Sequence, residues 1–581
     1  MSAEIVKQHY IALAKLLKIY RTAPLDRTLI KASHDFCKSL YSAAKKHPEL
    51  IFAQPQLYKP QLPFIVNLTF NSAVLTCLLA VRNKFDPSVT IQLMCGSLSI
   101  YALEQSSIEE HYQTDKDNQK SLTNKLGLRN AKFSQLLKSN QQQIWLSTYL
   151  LRSHIHLTHY PRTSLTSPIT ALAYMANKFA LLGTPNTQKQ AISFAHIIKR
   201  LSLECCPKWY ELLTPLLQYP SVSPLGSYIR LKDGSIHMVL SLSSKGLITK
   251  PIPSKPSVVV QSDKADIQLT TVEQVIHSYP CQQLKSFTRL NQWWGADLMD
   301  CIANNKEHGL IPAFDPILPV QAAPASLLVI QDQLNHINAD IKVITKAIEK
   351  EPAFAHQLQV SASISNRQKQ PVQNIQQSLA MLGFERTNHI LIQHALLSRL
   401  NQQYFPLQQA LLTFSQFFVF IVAELATKIK LVSPELARTT AYFLVSRLFT
   451  LPSIRSLNHW EKSALASFKL ADLIKVKETQ NLKKDGFLLA NAWQQNKQML
   501  EVLQHYDLIM QKQDNKCSTR QYCYLLGLSL TLAQEHYFSD LTRSKETEIY
   551  FNAGLIELGM SQTEVMNMMA NITTNACCQL E

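Results

Sequence analysis

Between Glu351 and Arg386 the chain reads EPAFAHQLQVSASISNRQKQPVQNIQQSLAMLGFER, a pattern that prescribes helix, break, helix. Glu351-Pro352 suits a helix start. Proline's missing N–H has no intrahelical partner in the first turn, and a carboxylate suits the positive end of the dipole. Ala353, Phe354, Leu358 and Ala362 then recur at helical spacing. Ser365 to Gln370 is a polar break, and Pro371 reopens the chain. Ile375, Leu379 and Leu382 form a second apolar stripe, which Gly383 closes as glycine commonly does at a helix end.

The rest of the composition agrees with helices. Only 13 glycines occur in 581 residues, whereas Leu, Ala, Gln and Lys are abundant. A hydrophobic content of 46% supports ordered packing, and a charged content of 17% argues against a long disordered tail. The length calls for two to four domains. The net charge of +17 permits nucleic acid, acidic proteins or anionic lipid as partners. Its basic clusters are short (Lys45-Lys46, Lys116 to Arg129, Lys475 to Lys484), so a solvated basic surface is favoured over a nucleic-acid interface. The 11 cysteines include no CxxC, and the adjacent pairs Cys205-Cys206 and Cys577-Cys578 suit neither bridges nor zinc, which fits reduced thiols in a cytoplasmic protein. The N-terminus lacks the pattern of a signal peptide. Leu62 to Val81 carries no charge, but polar residues from Asn67 to Thr76 mark it as a buried core helix rather than a membrane span. The run Leu411 to Ala423 reads as too short to cross a bilayer.

The Glu351–Arg386 stretch resembles the HDOD family, whose members usually read Asp-Pro-Ala-Leu, a helix, Pro-Val, a Ser-Ile helix and Leu-Gly. Glu351-Pro352-Ala353-Phe354, Pro371-Val372, Ile375 and Leu382-Gly383 stand at those places, and Ser363-Ile364 replaces the family's Asn-Ser. Trp493, Leu503 to Tyr506 and Gly559-Met560-Ser561 resemble later signatures. The resemblance implies a helical domain over 310–581, related to HD phosphohydrolases that lost their metal ligands and act in bacterial signalling.

Upstream, Tyr219-Pro220, Gly226, Ile229 and Leu231, then Asp233-Gly234 with Ile236 and Met238, form a strand–turn–strand pattern, with Val258 to Val260 as a possible third strand. Tyr160-Pro161 precedes a helical pattern from Ile169 to Leu182. That order resembles a degenerate HD-GYP domain, the family of cyclic di-GMP phosphodiesterases. The expected architecture is therefore mainly α: N-terminal helices over 1–60, a degenerate HD-GYP-like domain over 61–275 ending in a small β-hairpin patch near 227–260, a connector over 276–309, and an HDOD domain over 310–581.

HD enzymes hold a divalent metal with His and Asp side chains, and the metal activates water and polarises phosphoryl oxygen. At the positions the resemblance assigns to ligands, the first half reads Asn71-Ser72, Leu98-Ser99, Leu151-Arg152-Ser153 and Ala176-Asn177. The second half reads Phe414-Ser415-Gln416-Phe417 and Arg447 to Pro452, with Phe449 and Thr450 at the His-Asp step. His154, His156 and His159 form the one histidine cluster, with no acidic residue beside it, and His505 stands alone. GxxxxGK[ST], GxGxxG and GxSxG do not occur. The sequence thus assigns no catalytic, cofactor-binding or metal residue and no cofactor. It points to a non-catalytic bacterial signalling scaffold linked by resemblance to cyclic di-GMP, with a diguanylate cyclase, kinase or response regulator as the kind of partner expected. The alternatives are a basic nucleic-acid-binding regulator, a phosphodiesterase with unorthodox ligands, and a cyclic dinucleotide sensor using arginines such as Arg152 or Arg162.

Overall fold

The computed structural model describes residues 2–113, 127–155, 167–186, 190–204, 207–243, 245–252, 267–295, 298, 314, 317–336, 339–366, 370–460, 463–476, 482–509, 517–538 and 541–577. The chain is mainly α-helical and divides into two compact units, Met1–Pro316 and Ile317–Glu581.

In the first unit, α1 (Ser2–Thr22) and α2 (Arg27–Lys46) form an antiparallel pair. Helix α1 buries Val6, Tyr10, Leu13, Leu17 and Tyr20, a stripe of i, i+3, i+4 spacing. Asp26 caps α2 by accepting a hydrogen bond from the Thr28 amide at 2.9 Å. Helix α3 (Phe64–Arg82) is buried all round, from Phe64 to Ala80. It is long and apolar enough to cross a membrane, yet protein surrounds it, as expected for a core helix. It packs against α4 (Pro87–Ala102) and against α6 (Pro168–Gly183), while α5 (Gln143–Tyr149) packs on α4 and α7 (Phe194–Glu204) on α6. Asp86-Pro87 is the N-cap and first residue of α4: the Asp86 carboxylate accepts from the Ser88 amide at 2.8 Å. Gly96 lets α4 and α5 approach, since a Cβ there would lie 2.5 Å from Thr148 Cβ.

The expected hairpin is present and belongs to a larger sheet. Strands β1 (Tyr228–Leu231), β2 (Ile236–Ser243), β3 (Gly246–Pro251), β4 (Gln268–Thr270) and β5 (Val275–Ser278) are all antiparallel, in the order β4-β3-β2-β1-β5. Ile229 pairs with His237, and the Asp233-Gly234 turn uses a left-handed glycine at φ 84°. The third strand is Gly246–Pro251; Val258 to Val260 lie outside the described residues. The start of the 276–309 stretch also belongs to this unit, because β5 pairs with β1, and Gln282–Gln283 pairs in parallel with Leu57–Tyr58.

The second unit runs α8 (Ala325–Leu334), α9 (Ile341–Glu349), α10 (Pro352–Ser365), α11 (Ile375–Leu382) and α12 (Phe384–Leu400). Pro352 opens α10, and the Asn374 side chain caps α11 by accepting from the Gln376 amide at 2.8 Å. Gly383, at φ 76°, ends α11 and at once begins α12. Then follow α13 (Gln408–Ile429), α14 (Pro434–Val445), α15 (Leu482–Ala492), α16 (Lys497–His505), α17 (Cys517–Tyr537), α18 (Lys545–Leu558) and α19 (Gln562–Cys577). The Leu411–Ala423 run sits within the 22-residue α13, which is itself long and apolar enough to span a bilayer; its apolar face packs on α14 and α17. Arg399 donates to the carbonyls of Pro319 and Ala322, and Trp493 Nε1 donates to Val320 O at 2.9 Å, so two distant side chains hold the entry segment of this unit.

The contact at Gly96 predicts that Gly96→Ala lowers stability by about 1–3 kcal/mol through overpacking. A urea titration followed by circular dichroism measures this as a lower unfolding midpoint.

Candidate functional site

Three core helices of the first unit bring polar side chains together where charged ligands were sought. Ser72 on α3 donates to Asn177 Oδ1 on α6 at 2.6 Å. Asn177 Nδ2 donates to Ser97 Oγ on α4 at 3.0 Å and to Ala173 O at 2.8 Å. Thr76 Oγ1 donates to the same Ser97 oxygen at 2.9 Å. All four side chains are fully buried. Two residues further along α4, Ser99 accepts from Trp145 Nε1 at 3.0 Å and donates to Gly96 O at 2.8 Å. Tyr101 OH donates to the Asn177 carbonyl at 3.1 Å.

These side chains are hydroxyls and an amide. They hold hydrogen bonds without charge, and they offer no carboxylate or imidazole to a cation or a proton-transfer step. Of the sequence positions assigned to metal ligands, the structure joins Ser72 and Asn177 directly. Ser97, not Ser99, completes their contact, because it lies on the α4 face that meets α3 and α6. Asn71 turns the other way and donates to Thr184 Oγ1 at 3.0 Å. Arg152 is held elsewhere: its guanidinium lies 3.9 Å from Glu104 and 4.6 Å from the centre of the Tyr149 ring. His154 is half-buried, whereas Tyr160-Pro161, His156, His159 and Arg162 lie outside the described residues.

In the second unit, aromatic rings fill the corresponding positions. Phe414 on α13 is buried against Trp460, Tyr537 and Phe538, with ring centroids 5.4–6.1 Å apart. Phe449 is fully buried beside Phe405 at 6.4 Å. Arg447 pairs with Asp485 at 2.9 Å and donates to Thr450 Oγ1 at 3.3 Å. His505 ends α16. The organising residue beside it is Tyr506, buried, whose hydroxyl accepts from the Leu470 amide at 3.1 Å and whose carbonyl accepts from Tyr550 OH at 2.5 Å. Among the described residues, no group of three His, Cys, Asp or Glu side chains is placed to hold a metal.

One buried ionisable group had no signal in the sequence. Lys59 is fully buried, donates to Gln54 O at 3.3 Å and lies 5.0 Å from the centre of the Tyr10 ring. Burial pulls its ammonium pKa down to about 7, which the nearby Cys281 offsets only in part.

Comparison with known proteins bears on part of the second unit. Residues 320–507 match the HDOD domain family. The HDOD domain places this half of the chain in the HD superfamily and fits a signalling protein. No curated protein matches the chain by sequence. An HDOD domain protein of unknown function from Geobacter sulfurreducens is 11% identical, covering 45% of this chain and 91% of its own, with a TM-score of 0.32. A chain from Shewanella amazonensis SB2B, provisionally named a phosphohydrolase, is 14% identical over 44% of this chain and 92% of its own, with a TM-score of 0.31. The MmoQ response regulator of Methylococcus capsulatus str. Bath is 12% identical over 44% and 99%, with a TM-score of 0.24.

Two predictions follow from the buried polar groups. Asn177→Asp places a carboxyl in an uncharged core, which raises its folded pKa above the unfolded value of about 3.9. The penalty is absent below that value and grows as pH rises through the folded pKa. The variant is therefore expected to lose about 2–4 kcal/mol at pH 8 and little at pH 4, each relative to wild type in urea titrations. For Lys59 the folded pKa lies below the unfolded value of about 10.4. The cost of burying its charge is full below pH 7 and fades as pH rises from 7 towards 10. Lys59→Met is thus expected to stabilise the protein by about 2–4 kcal/mol at pH 6–7, with an advantage that shrinks by pH 10.

Proposed function

We propose that the chain is a non-catalytic signalling protein in which HD-type helical folds serve as a scaffold for protein partners. The observation that carries this reading is the closed Ser72–Asn177–Ser97–Thr76 network. Metal-dependent phosphodiester hydrolysis needs anionic or imidazole ligands at the point where these helices converge. This chain satisfies that point with neutral hydrogen bonds inside a packed core. The HD-GYP-like reading of the first unit, and with it a link to cyclic di-GMP signalling, belongs to the same proposal. So does its placement in the cytoplasm. A diguanylate cyclase, a kinase or a response regulator is the kind of partner such a scaffold would hold.

The test uses the full chain purified from its own cells. The proposal expects no stoichiometric iron, manganese or zinc, no hydrolysis of cyclic di-GMP with any of these added, and a defined protein partner retained after nuclease treatment. Stoichiometric metal together with turnover would make the chain a phosphodiesterase with unorthodox ligands and would end the scaffold reading.

A further inference from the structure

We propose that one face of the β-sheet binds a single-stranded oligonucleotide through cations and aromatic rings that alternate on neighbouring strands. On β1 the side chains of Tyr228 and Arg230 share one face, since Ile229 and Leu231 between them are buried in the core. Arg230 pairs in register with His277 on β5, which brings His277 to the same face. The chain leaves β5 through Tyr279, whose ring centre is 5.7 Å from the Arg230 guanidinium and 4.7 Å from the His277 ring. Arg289 adds a second guanidinium beside Tyr228, close enough to oppose the rise that burial gives that phenol's pKa. Arg230, His277 and Arg289 are exposed, and Tyr228 and Tyr279 are half-exposed.

The composition of this face separates it from an ordinary solvated one. Strand β1 contains no Asp or Glu, and none occurs between Val275 and Ala296, a stretch that holds Lys285 and Arg289. The nearest carboxylate on the hairpin, Asp233, is engaged by the amide and hydroxyl of Ser235 at 2.9 and 2.6 Å. Phosphodiester oxygens suit the planar fork of the exposed Arg230 and Arg289 guanidinium groups. Tyrosine faces accept bases by stacking, and Arg230 extends the platform that Tyr279 begins. The net charge of +17 draws a polyanion towards the surface; this face supplies the geometry to hold one.

This proposal stands independently of the scaffold reading and is tested on the full chain. The probe is a fluorescein-labelled oligothymidylate of about 12 nucleotides, followed by anisotropy across a salt series. Saturable binding at low salt is expected. The Arg230→Gln, Arg289→Gln pair should weaken it at least tenfold and reduce the slope of log affinity against log salt by about 1.4, two phosphates' worth for a single strand. The Tyr228→Leu, Tyr279→Leu pair should weaken it about tenfold with the slope unchanged. Matching wild-type and variant urea midpoints confirm folding; a Tyr279→Leu single variant replaces the pair if it unfolds. Absent binding by the wild type, equal binding by all variants, or binding of cyclic di-GMP with no binding of the oligonucleotide would each overturn the proposal.

Discussion

The hydrogen bond from Ser72 to Asn177 is the contact on which the core of the first unit turns. A buried amide or hydroxyl left without a partner costs about 1–3 kcal/mol, so polar side chains on three apolar helices are tolerated only in mutual register. Asn177 meets this constraint by reaching α3, α4 and its own preceding turn at once. Rotating or sliding any of the three helices would strand several donors together. The network therefore specifies which faces of these helices meet, something the apolar surfaces of α3, buried all round, leave undetermined.

The second unit reaches the same rigidity by another route. Its converging helices use rings: Phe414, Trp460, Tyr537 and Phe538 in one cluster, and Phe468 stacked on Tyr550 at 3.9 Å in another. Tyr550 passes so close to α17 that residue 527 has to be glycine, because a Cβ there would collide with the Tyr550 hydroxyl and ring. Ring packing acts here together with buried hydrogen bonds between helices, such as Thr440 Oγ1 to Tyr522 OH at 2.6 Å. Both solutions are those of a folded interior.

Helix positions were readable from the sequence because their signals are local. Glu351-Pro352 and Gly383 mark helix ends through caps and φ preferences that act within a few residues. The buried nature of α3 followed from its uncharged run. The size of the sheet did not, because β4 and β5 are short strands whose partners lie far along the chain, as Ile229 does from Ser278 and Leu247 from Thr270. The candidate site was half legible. Asn71-Ser72 and Ala176-Asn177 marked the right helices, but only packing reveals that Ser72, not Asn71, faces inward and that Ser97 is the third member. Lys59 was unreadable, since nothing adjacent in the chain announces that a lysine will be enclosed.

The single residue between α11 and α12 leaves that junction no slack. Gly383 serves both as the last cap of one helix and as the entry to the next. Each residue of an α-helix advances about 1.5 Å and turns the following side chains by about 100°. Inserting or deleting one residue here would swing the buried face of α12, with His389, Leu391, Ile392 and Leu396, out of phase with α14.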